Sequence, residues 1–435
     1  MKLPGVAIVY TLFMVLFGQT PAGIHLGLMV VNGICSYLLF LLAKRLFDSK
    51  AAVYSCTSYA VLSLSLSVNG VFAHATNFVV LFVLAGFLSL FHCLDKKRIA
   101  LLFISGLCFG LAVAMKQHAV LLLFYAFLYL LLRISTTPVY GKNDRIAGSF
   151  LFVLGAAVPY ALIALWMVRS STFNEFWLWS VQYARVYASK PALSMGLDEF
   201  RNSFGKILQF QWPLWLIAGV GCVLLGLKKR GCADRVFVFG FLLFSFLSIC
   251  PGMHFRGHYF VLLLPAVAIV IGSGTRTAEL LLSASRFPRH ATLFAILLLI
   301  AAISFSFYRE RGCFFTLTPQ QVSRATYGAN PFPEAPQIAD YIKRHTSRDD
   351  KIAVLGSEPE IFFYADRLSA TGHIYMYGLM ERQPFAKRMQ AQMIGEIESA
   401  RPKYVVAVNV ESSWLIQDSS LRSVLFWGDQ YLRKL

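Results

Sequence analysis

Apolar runs separated by short polar segments make up residues 1–308 of the chain. Ten of these runs approach the roughly 20 residues that an α-helix needs to cross the hydrocarbon core of a bilayer. The pattern therefore predicts an all-α polytopic membrane bundle of about ten spans. The predicted spans cover residues 21–43, 51–69, 75–94, 99–115, 118–133, 147–168, 212–227, 236–250, 257–272 and 290–307.

A shorter apolar run precedes the first predicted span. Residues 4–17 carry no charge, but these 14 residues are too few for a span of roughly 20. Pro4 suits the first turn of a helix, and Gly18 suits its C-terminal end. We interpret the run as an interfacial helix at the membrane face. A signal anchor is the alternative that this run alone leaves open.

The pattern changes after residue 308, where hydropathy falls. Residues 351–356 and 403–410 are short apolar runs typical of buried strands, and apolar residues recur at helical spacing before and between them. Strands that alternate with helices predict a small α/β domain over residues 309–435, next to a membrane domain over residues 1–308. Gly356 alone is not a dinucleotide-binding fingerprint, so no nucleotide is predicted.

The composition is 57% hydrophobic and only 14% charged, which is typical of a polytopic membrane protein. The formal net charge is +18, of which residues 1–308 contribute +16 (24 Lys and Arg less 8 Asp and Glu). The excess therefore lies between apolar segments, where it orients helices, and it does not indicate nucleic-acid binding. The eight cysteines form no Cys-x-x-Cys motif and indicate neither a disulfide framework nor a zinc site.

Basic residues of the membrane domain fall into five clusters, each separated from the next by two predicted spans. All sixteen of these residues therefore lie on one side of the membrane, against eight on the other, and the positive-inside rule places the sixteen in the cytoplasm. We expect the 169–211 loop and the C-terminal domain to lie outside the cytoplasm. The clusters are within residues 44–50, 96–98, 133–145, 228–235 and 276–289.

Aromatic and basic residues share the 169–211 loop, including Trp177, Tyr183 and Arg185. This composition is typical of a helix that lies in the membrane interface as an aromatic anchor. A role in gating a substrate is compatible with that interpretation.

Polar side chains gather at span ends on the predicted outer face, including five of the nine histidines. If the bundle closes, these ends line one outward cavity. A histidine metal site is open, but no ligand spacing supports it. The candidate cavity residues are His74, His118, His254, His258 and Tyr259, with His25 on the same face.

Three cations on that face, Lys2, Lys116 and Arg256, suit a phosphate carried on a lipid, because they can make charge-assisted hydrogen bonds to it. The alternative is that each lysine extends to the interface and each histidine or tyrosine makes a hydrogen bond there.

Carboxylates are scarce on the predicted outer face. Five of the eight in residues 1–308 fall in cytoplasmic loops, and only Glu175, Asp198 and Glu199 lie outside. Transfer of a group to a hydroxyl or amine normally needs a general base. These three carboxylates are the candidates that this part of the chain offers, although none is arranged in a pair.

Three segments of the chain form a recognisable set. The first runs from Lys2-Leu-Pro-Gly to Leu-Phe-Gly18. The second, Gly110-Leu-Ala…Lys116, ends a later span, and the third, His258-Tyr-Phe…Leu-Leu-Pro265, begins another. These segments resemble the Lys-Pro-Gly…Phe-Gly, Gly-Leu-Ala…Lys and Tyr-(Phe/Leu)…Leu-Pro motifs of polytopic GT-C glycosyltransferases. The resemblance extends to the aminoarabinose-transferase-like and protein O-mannosyltransferase-like families, and the outward α/β domain fits it.

This resemblance implies a membrane glycosyltransferase that moves a hexose or pentose. The donor would be a polyprenyl-phosphate-linked sugar, and the acceptor a lipid, glycan or protein on the outer face. Lys2 would bind the donor phosphate, and a divalent metal ion is the one cofactor left open. The resemblance places the enzyme among the lipids of a bacterial inner membrane.

In the family, a first span and a loop aspartate that acts as the base precede the Lys-Pro segment, whereas this sequence begins at Met1. We expect either that the chain is a fragment or that it lacks this carboxylate. A lipid-linked glycan transporter or flippase is the alternative function from another class. A non-catalytic membrane scaffold is the third interpretation.

Overall fold

The computed structural model describes residues 3–189, 193–227, 232–284, 288–416 and 420–434. The chain divides into two compact units, Met1–Arg311 and Gly312–Leu435.

Helices make up the described part of the first unit. Seven of them are long and apolar enough to cross a membrane, namely α2, α4, α6 with the turn before it, α7, α10, α12 and α13. The helices are α1 (Pro4–Phe17), α2 (Pro21–Leu46), α3 (Ser49–Leu64), α4 (Ala75–Lys96), α5 (Ala100–Met115), α6 (Val120–Thr136), α7 (Lys142–Arg169), α8 (Phe173–Trp177), α9 (Tyr183–Ala188), α10 (Leu193–Leu227), α11 (Cys232–Ile249), α12 (Leu264–Ser283) and α13 (Ala291–Arg309).

A helix lies at each of the ten predicted spans, which confirms the predicted polytopic bundle. Those at three of the spans, α3, α5 and α11, have 16, 16 and 18 residues.

The 169–211 loop is itself largely helical. α10 starts at Leu193 within it and joins the span predicted from residue 212 at a kink at Gln211, two residues before Pro213. One of the predicted boundaries is wrong. The span predicted from residue 257 begins instead with the 3₁₀ turn Gly257–Leu262, and α12 starts one residue before Pro265. Proline fits the first turn of a helix, since its missing N–H would have no partner there.

Ion pairs join the loops at one end of the bundle. The Arg45 guanidinium lies 2.7 Å from a carboxylate oxygen of Asp95 and 3.1 Å from one of Asp234. The buried carboxylate of Glu279 forms ion pairs with Lys50 and Arg276. These contacts bring together loops that the charge pattern assigns to the cytoplasmic face.

The second unit contains a parallel pair of strands among helices. β1 (Ile352–Leu355) pairs with β2 (Tyr404–Ala407), with Ile352 opposite Tyr404. Both strands fall within the predicted apolar runs, but β2 is shorter than its run. The helices are α14 (Pro319–Tyr327), α15 (Ala335–His345), α16 (Glu360–Ala365), α17 (Tyr377–Met380), α18 (Ala386–Ala400), α19 (Glu411–Trp414) and α20 (Ser423–Leu432).

Close packing of α5 against α7 depends on glycines. A Cβ on Gly106 would collide with the carbonyl oxygen of Phe152 and lie 3.0 Å from the amide nitrogen of Ala156. Small residues allow helix backbones to approach this closely, which membrane helices use because the bilayer supplies little hydrophobic drive between them.

We predict that Gly106→Ala destabilises the helical unit by about 1–3 kcal/mol, the usual cost of overpacking. Gly33, whose added Cβ would meet nothing within 4 Å, supplies the matched control. Gly33→Ala should leave stability unchanged or raise it by up to about 1 kcal/mol, because alanine has less backbone freedom than glycine to lose when the chain folds. Thermal unfolding of both variants in detergent measures the difference, and equal shifts would contradict this packing.

Candidate functional site

A cavity of about 440 Å³ lies at one end of the helical unit. The Arg45 ion pairs lie at the other end of the same unit, and α4 runs between the two. His74 lies just before the first residue of α4 and lines the cavity, whereas Asp95 lies in its last turn. The lining also comes from α1, the turn between α5 and α6, α9, and the segment before α12. Its residues include Leu3, Val6, Tyr10, His74, Met115, Lys116, Gln117, His118, Val120, Tyr187, His258 and Tyr259.

Lys116 enters the cavity where α5 ends. Its extended backbone, with φ of −156° and ψ of 130°, breaks the helix before the 3₁₀ turn Gln117–Ala119. The ammonium nitrogen lies 3.6 Å from the centroid of the Tyr259 ring, within the range of a cation–π contact. The break therefore places a cation among aromatic side chains.

Two histidine rings contact the same tyrosine, and a third stacks on one of them. His74 and His258 stack with centroids 4.2 Å apart and planes inclined by 13°. His258 meets Tyr259 edge-on at 4.8 Å, and His118 does so at 4.7 Å. The structure thus brings His74, His118, His258 and Tyr259 together in one cavity.

Arg256 and His254 lie at the rim. Arg256 donates a hydrogen bond of 3.2 Å to the hydroxyl of Tyr187, which lines the cavity. The ring of His254 lies 4.4 Å from that of Tyr187. Tyr187 therefore links both residues to the cavity. The sequence analysis counts it among the aromatic residues of the 169–211 loop and does not assign it to the cavity, since this contact depends on how α9 packs.

Lys116 has no counterion within the part of the chain that the structure describes. Among the described residues, no carboxylate lies within 4 Å of its ammonium group. Burial, together with the positive charge of Arg256, lowers the pKa of Lys116 to about 7. A bound anion would relieve both effects, because it restores an opposite charge beside the ammonium group.

The other predicted site residues lie elsewhere. Glu175, Asp198 and Glu199 are exposed and are not part of the cavity lining, and Asp198 lies 3.6 Å from Arg201. Lys2 lies outside the described residues. His25 is exposed on α2, away from the cavity lining.

A buried carboxylate that the sequence analysis missed lies near the cavity. Glu310 is only 5% exposed and accepts hydrogen bonds from the Ser65 hydroxyl at 2.6 Å and the Leu66 amide at 3.1 Å. Burial raises the pKa of this carboxyl. Glu310 holds the 3₁₀ turn Leu66–Val68, which packs against Gly257 at the start of the histidine segment. Its position directly after the last apolar run is the signal that could have identified it.

No group of three or more His, Cys, Asp or Glu side chains in the described ranges could hold a metal ion. The divalent metal left open by the sequence analysis stays untested.

Residues 2–166 match the model of the family described as dolichyl-phosphate-mannose-protein mannosyltransferase. No curated protein matches the sequence significantly.

Two solved structures are similar in fold. The oligosaccharyltransferase AglB from Archaeoglobus fulgidus, in complex with an inhibitory peptide and a dolichol-phosphate, has a TM-score of 0.53 at 13% identity. The match covers 93% of this chain and 61% of that chain, so this chain spans less than two thirds of the archaeal protein. ArnT from Cupriavidus metallidurans, bound to undecaprenyl phosphate, has a TM-score of 0.56 at 14% identity over 94% of this chain and 80% of that one.

At such identities the likeness shows the fold. The helices, the family match and these two structures agree with the resemblance noted from the sequence. The chain is therefore a multi-pass membrane protein with the fold of the GT-C glycosyltransferases.

Proposed function

We propose that the cavity binds the phosphate of a polyprenyl-phosphate-linked sugar and that the protein transfers the sugar to a lipid, glycan or protein acceptor. The observation that carries this proposal is Lys116, a half-buried cation with no described carboxylate beside it, in a cavity at one end of a membrane bundle. Two proteins of this fold were solved with polyprenyl phosphates bound, which supports the same ligand class here.

The lining of the cavity suits such a donor. Leu3, Val6 and Met115 offer apolar surface to the first isoprene units, while Lys116 and the nearby Arg256 offer charge-assisted hydrogen bonds to phosphate oxygens. A volume of about 440 Å³ lies within the range of small-molecule sites, roughly 300–1,000 Å³.

The same cations would favour the chemical step. When the bond between the sugar and the phosphate breaks, the phosphate leaves with the electron pair and gains negative charge. Lys116 and Arg256 would stabilise this charge, because preorganised cations lower the free energy of a developing negative charge. They would therefore bind the transition state more tightly than the donor.

We propose further that the cavity and the Gly312–Leu435 unit face the outside of a bacterial inner membrane. The asymmetry of sixteen basic residues against eight in residues 1–308 supports this orientation. The Arg45 ion pairs and the cavity lie at opposite ends of α4, as the orientation requires.

Cysteine labelling tests the orientation. We expect a membrane-impermeant maleimide to label Asp349→Cys, an exposed site in the second unit, on intact cells, relative to the unsubstituted chain. Lys96→Cys, at the exposed end of α4, should label only after the membrane is permeabilised. The reverse pattern would overturn the orientation.

Substitution of the central cation tests the phosphate site. Lys116→Gln should weaken binding of undecaprenyl phosphate about 10-fold or more, as expected for the loss of a hydrogen bond to a charged group. Lys96→Gln, which removes an exposed cation at the other end of α4, is the matched control and should leave the affinity unchanged. Equal affinities for Lys116→Gln and the wild type would contradict the proposed site.

The pH dependence of the same binding gives a second readout. The pKa of free Lys116 is about 7, so above that pH binding must first return a proton to the amine, and affinity should fall. The ligand stays dianionic from about pH 7.5 to about pH 9.5, because its second pKa is about 6. Lys116→Gln should flatten this dependence, whereas a fall that persists in the variant would assign it to another group.

A further inference from the structure

His118 is held in one tautomer by its neighbour. Its Nδ1 lies 2.9 Å from the carbonyl oxygen of Ser248 on α11. A carbonyl oxygen can only accept, so Nδ1 carries the proton, and in the neutral ring Nε2 keeps its lone pair. Nε2 has no hydrogen bond to any described residue, although the ring lines the cavity.

Several titratable groups lie around this ring. Lys116, two residues before it, and His254 interact with the ring electrostatically, and Arg256 interacts in the same way with Lys116. The remaining titratable groups in the cluster are His74, His258, Tyr259 and Tyr187.

We propose that Nε2 of His118 accepts the proton that the acceptor loses during sugar transfer. The oxygen or nitrogen of the acceptor forms a bond to the anomeric carbon, and its own bond to hydrogen breaks as Nε2 takes the proton. The bond from the anomeric carbon to the phosphate oxygen breaks, and its electron pair leaves with the polyprenyl phosphate. This inference rests on the proposed function.

The arrangement couples the proton to the leaving group. Before the reaction the donor phosphodiester carries one negative charge, and afterwards the polyprenyl phosphate can carry two. The added charge beside Lys116 and Arg256 favours an imidazolium at His118, because an opposite charge nearby stabilises the protonated ring. The Ser248 carbonyl continues to accept from Nδ1 in both states, so the ring need not move.

If His118 only held α6 against α11, its Nδ1 would be the one ring nitrogen in use, through the hydrogen bond to Ser248. Asparagine can place its amide nitrogen near the position of Nδ1, so His118→Asn can keep the hydrogen bond to Ser248 while it removes the proton acceptor. His92 offers the matched control, because its Nδ1 lies 3.0 Å from the Leu88 carbonyl oxygen on α4 and its ring is not part of the cavity lining.

The test uses the full chain in lipid nanodiscs, with polyprenyl-phosphate-linked mannose, glucose and aminoarabinose as donors and a membrane extract as the source of acceptor. Undecaprenyl phosphate affinity is measured separately. We expect His118→Asn to lower the initial rate of donor consumption by about 10²–10⁴-fold, the usual contribution of a general base. Its affinity for undecaprenyl phosphate should stay within about twofold of the wild type, and His92→Asn should match the wild type in both.

A further readout separates proton acceptance from a structural role. Added imidazole should restore part of the rate to His118→Gly, but not to His118→Asn, whose side chain still fills part of the site.

These outcomes separate a failure of the proposed function from a failure of the role proposed for His118. A wild-type chain that neither binds undecaprenyl phosphate nor consumes any donor would overturn the proposed function itself. A wild-type chain that does both, with His118→Asn equally fast, would overturn only the role of His118. A slow His118→Asn that also loses affinity, or a His118→Gly that imidazole does not rescue, would show that His118 is merely structural.

Discussion

The chemistry of the cavity depends on a half-buried cation, Lys116, beside which no carboxylate of the described residues lies. An ammonium group taken out of water costs free energy unless an opposite charge or several hydrogen bonds replace the lost solvation. Lys116 has the face of Tyr259 and no described carboxylate partner, so much of that cost remains in the unliganded state. A phosphate would supply the missing charge, and the cavity is thus prepared for an anion before any ligand arrives.

The opposite end of the bundle shows how the same sequence treats cations that have no ligand to bind. There Arg45 lies between two carboxylates, and Glu279, only 1% exposed in its side chain, accepts from both Lys50 and Arg276. Those ion pairs connect the loops between spans to one another. The two ends therefore differ in their charges: carboxylates lie beside Arg45, Lys50 and Arg276 at the ion-paired end, whereas no carboxylate of the described residues lies beside Lys116 at the cavity.

Much of this organisation follows from the sequence alone. Apolar run length predicts the spans, and Lys116 is identifiable because it is a charge between two apolar runs. The grouping of His74, His118 and His258 followed from placing span ends on one face. That inference uses only the order of the helices, which is why it succeeded.

What the sequence could not show depends on the path of the backbone between helices. Met253 and Phe255 have positive φ values, of 50° and 37°, and these turns carry Arg256 to the rim and towards Tyr187. Glu310 was missed for a similar reason, since its partners, Ser65 and Leu66, are far away in sequence.

The claim that the cavity binds a polyprenyl phosphate is tested most directly by photolabelling. An undecaprenyl phosphate analogue with a photoreactive group next to the phosphate would be cross-linked to the full chain in nanodiscs. The labelled peptides would then be mapped by mass spectrometry. The account predicts labelling within residues 115–120 and 251–259, reduced by excess undecaprenyl phosphate. Competable labelling confined to the opposite end, at residues 44–50 or 95–98, or none at all, would contradict it.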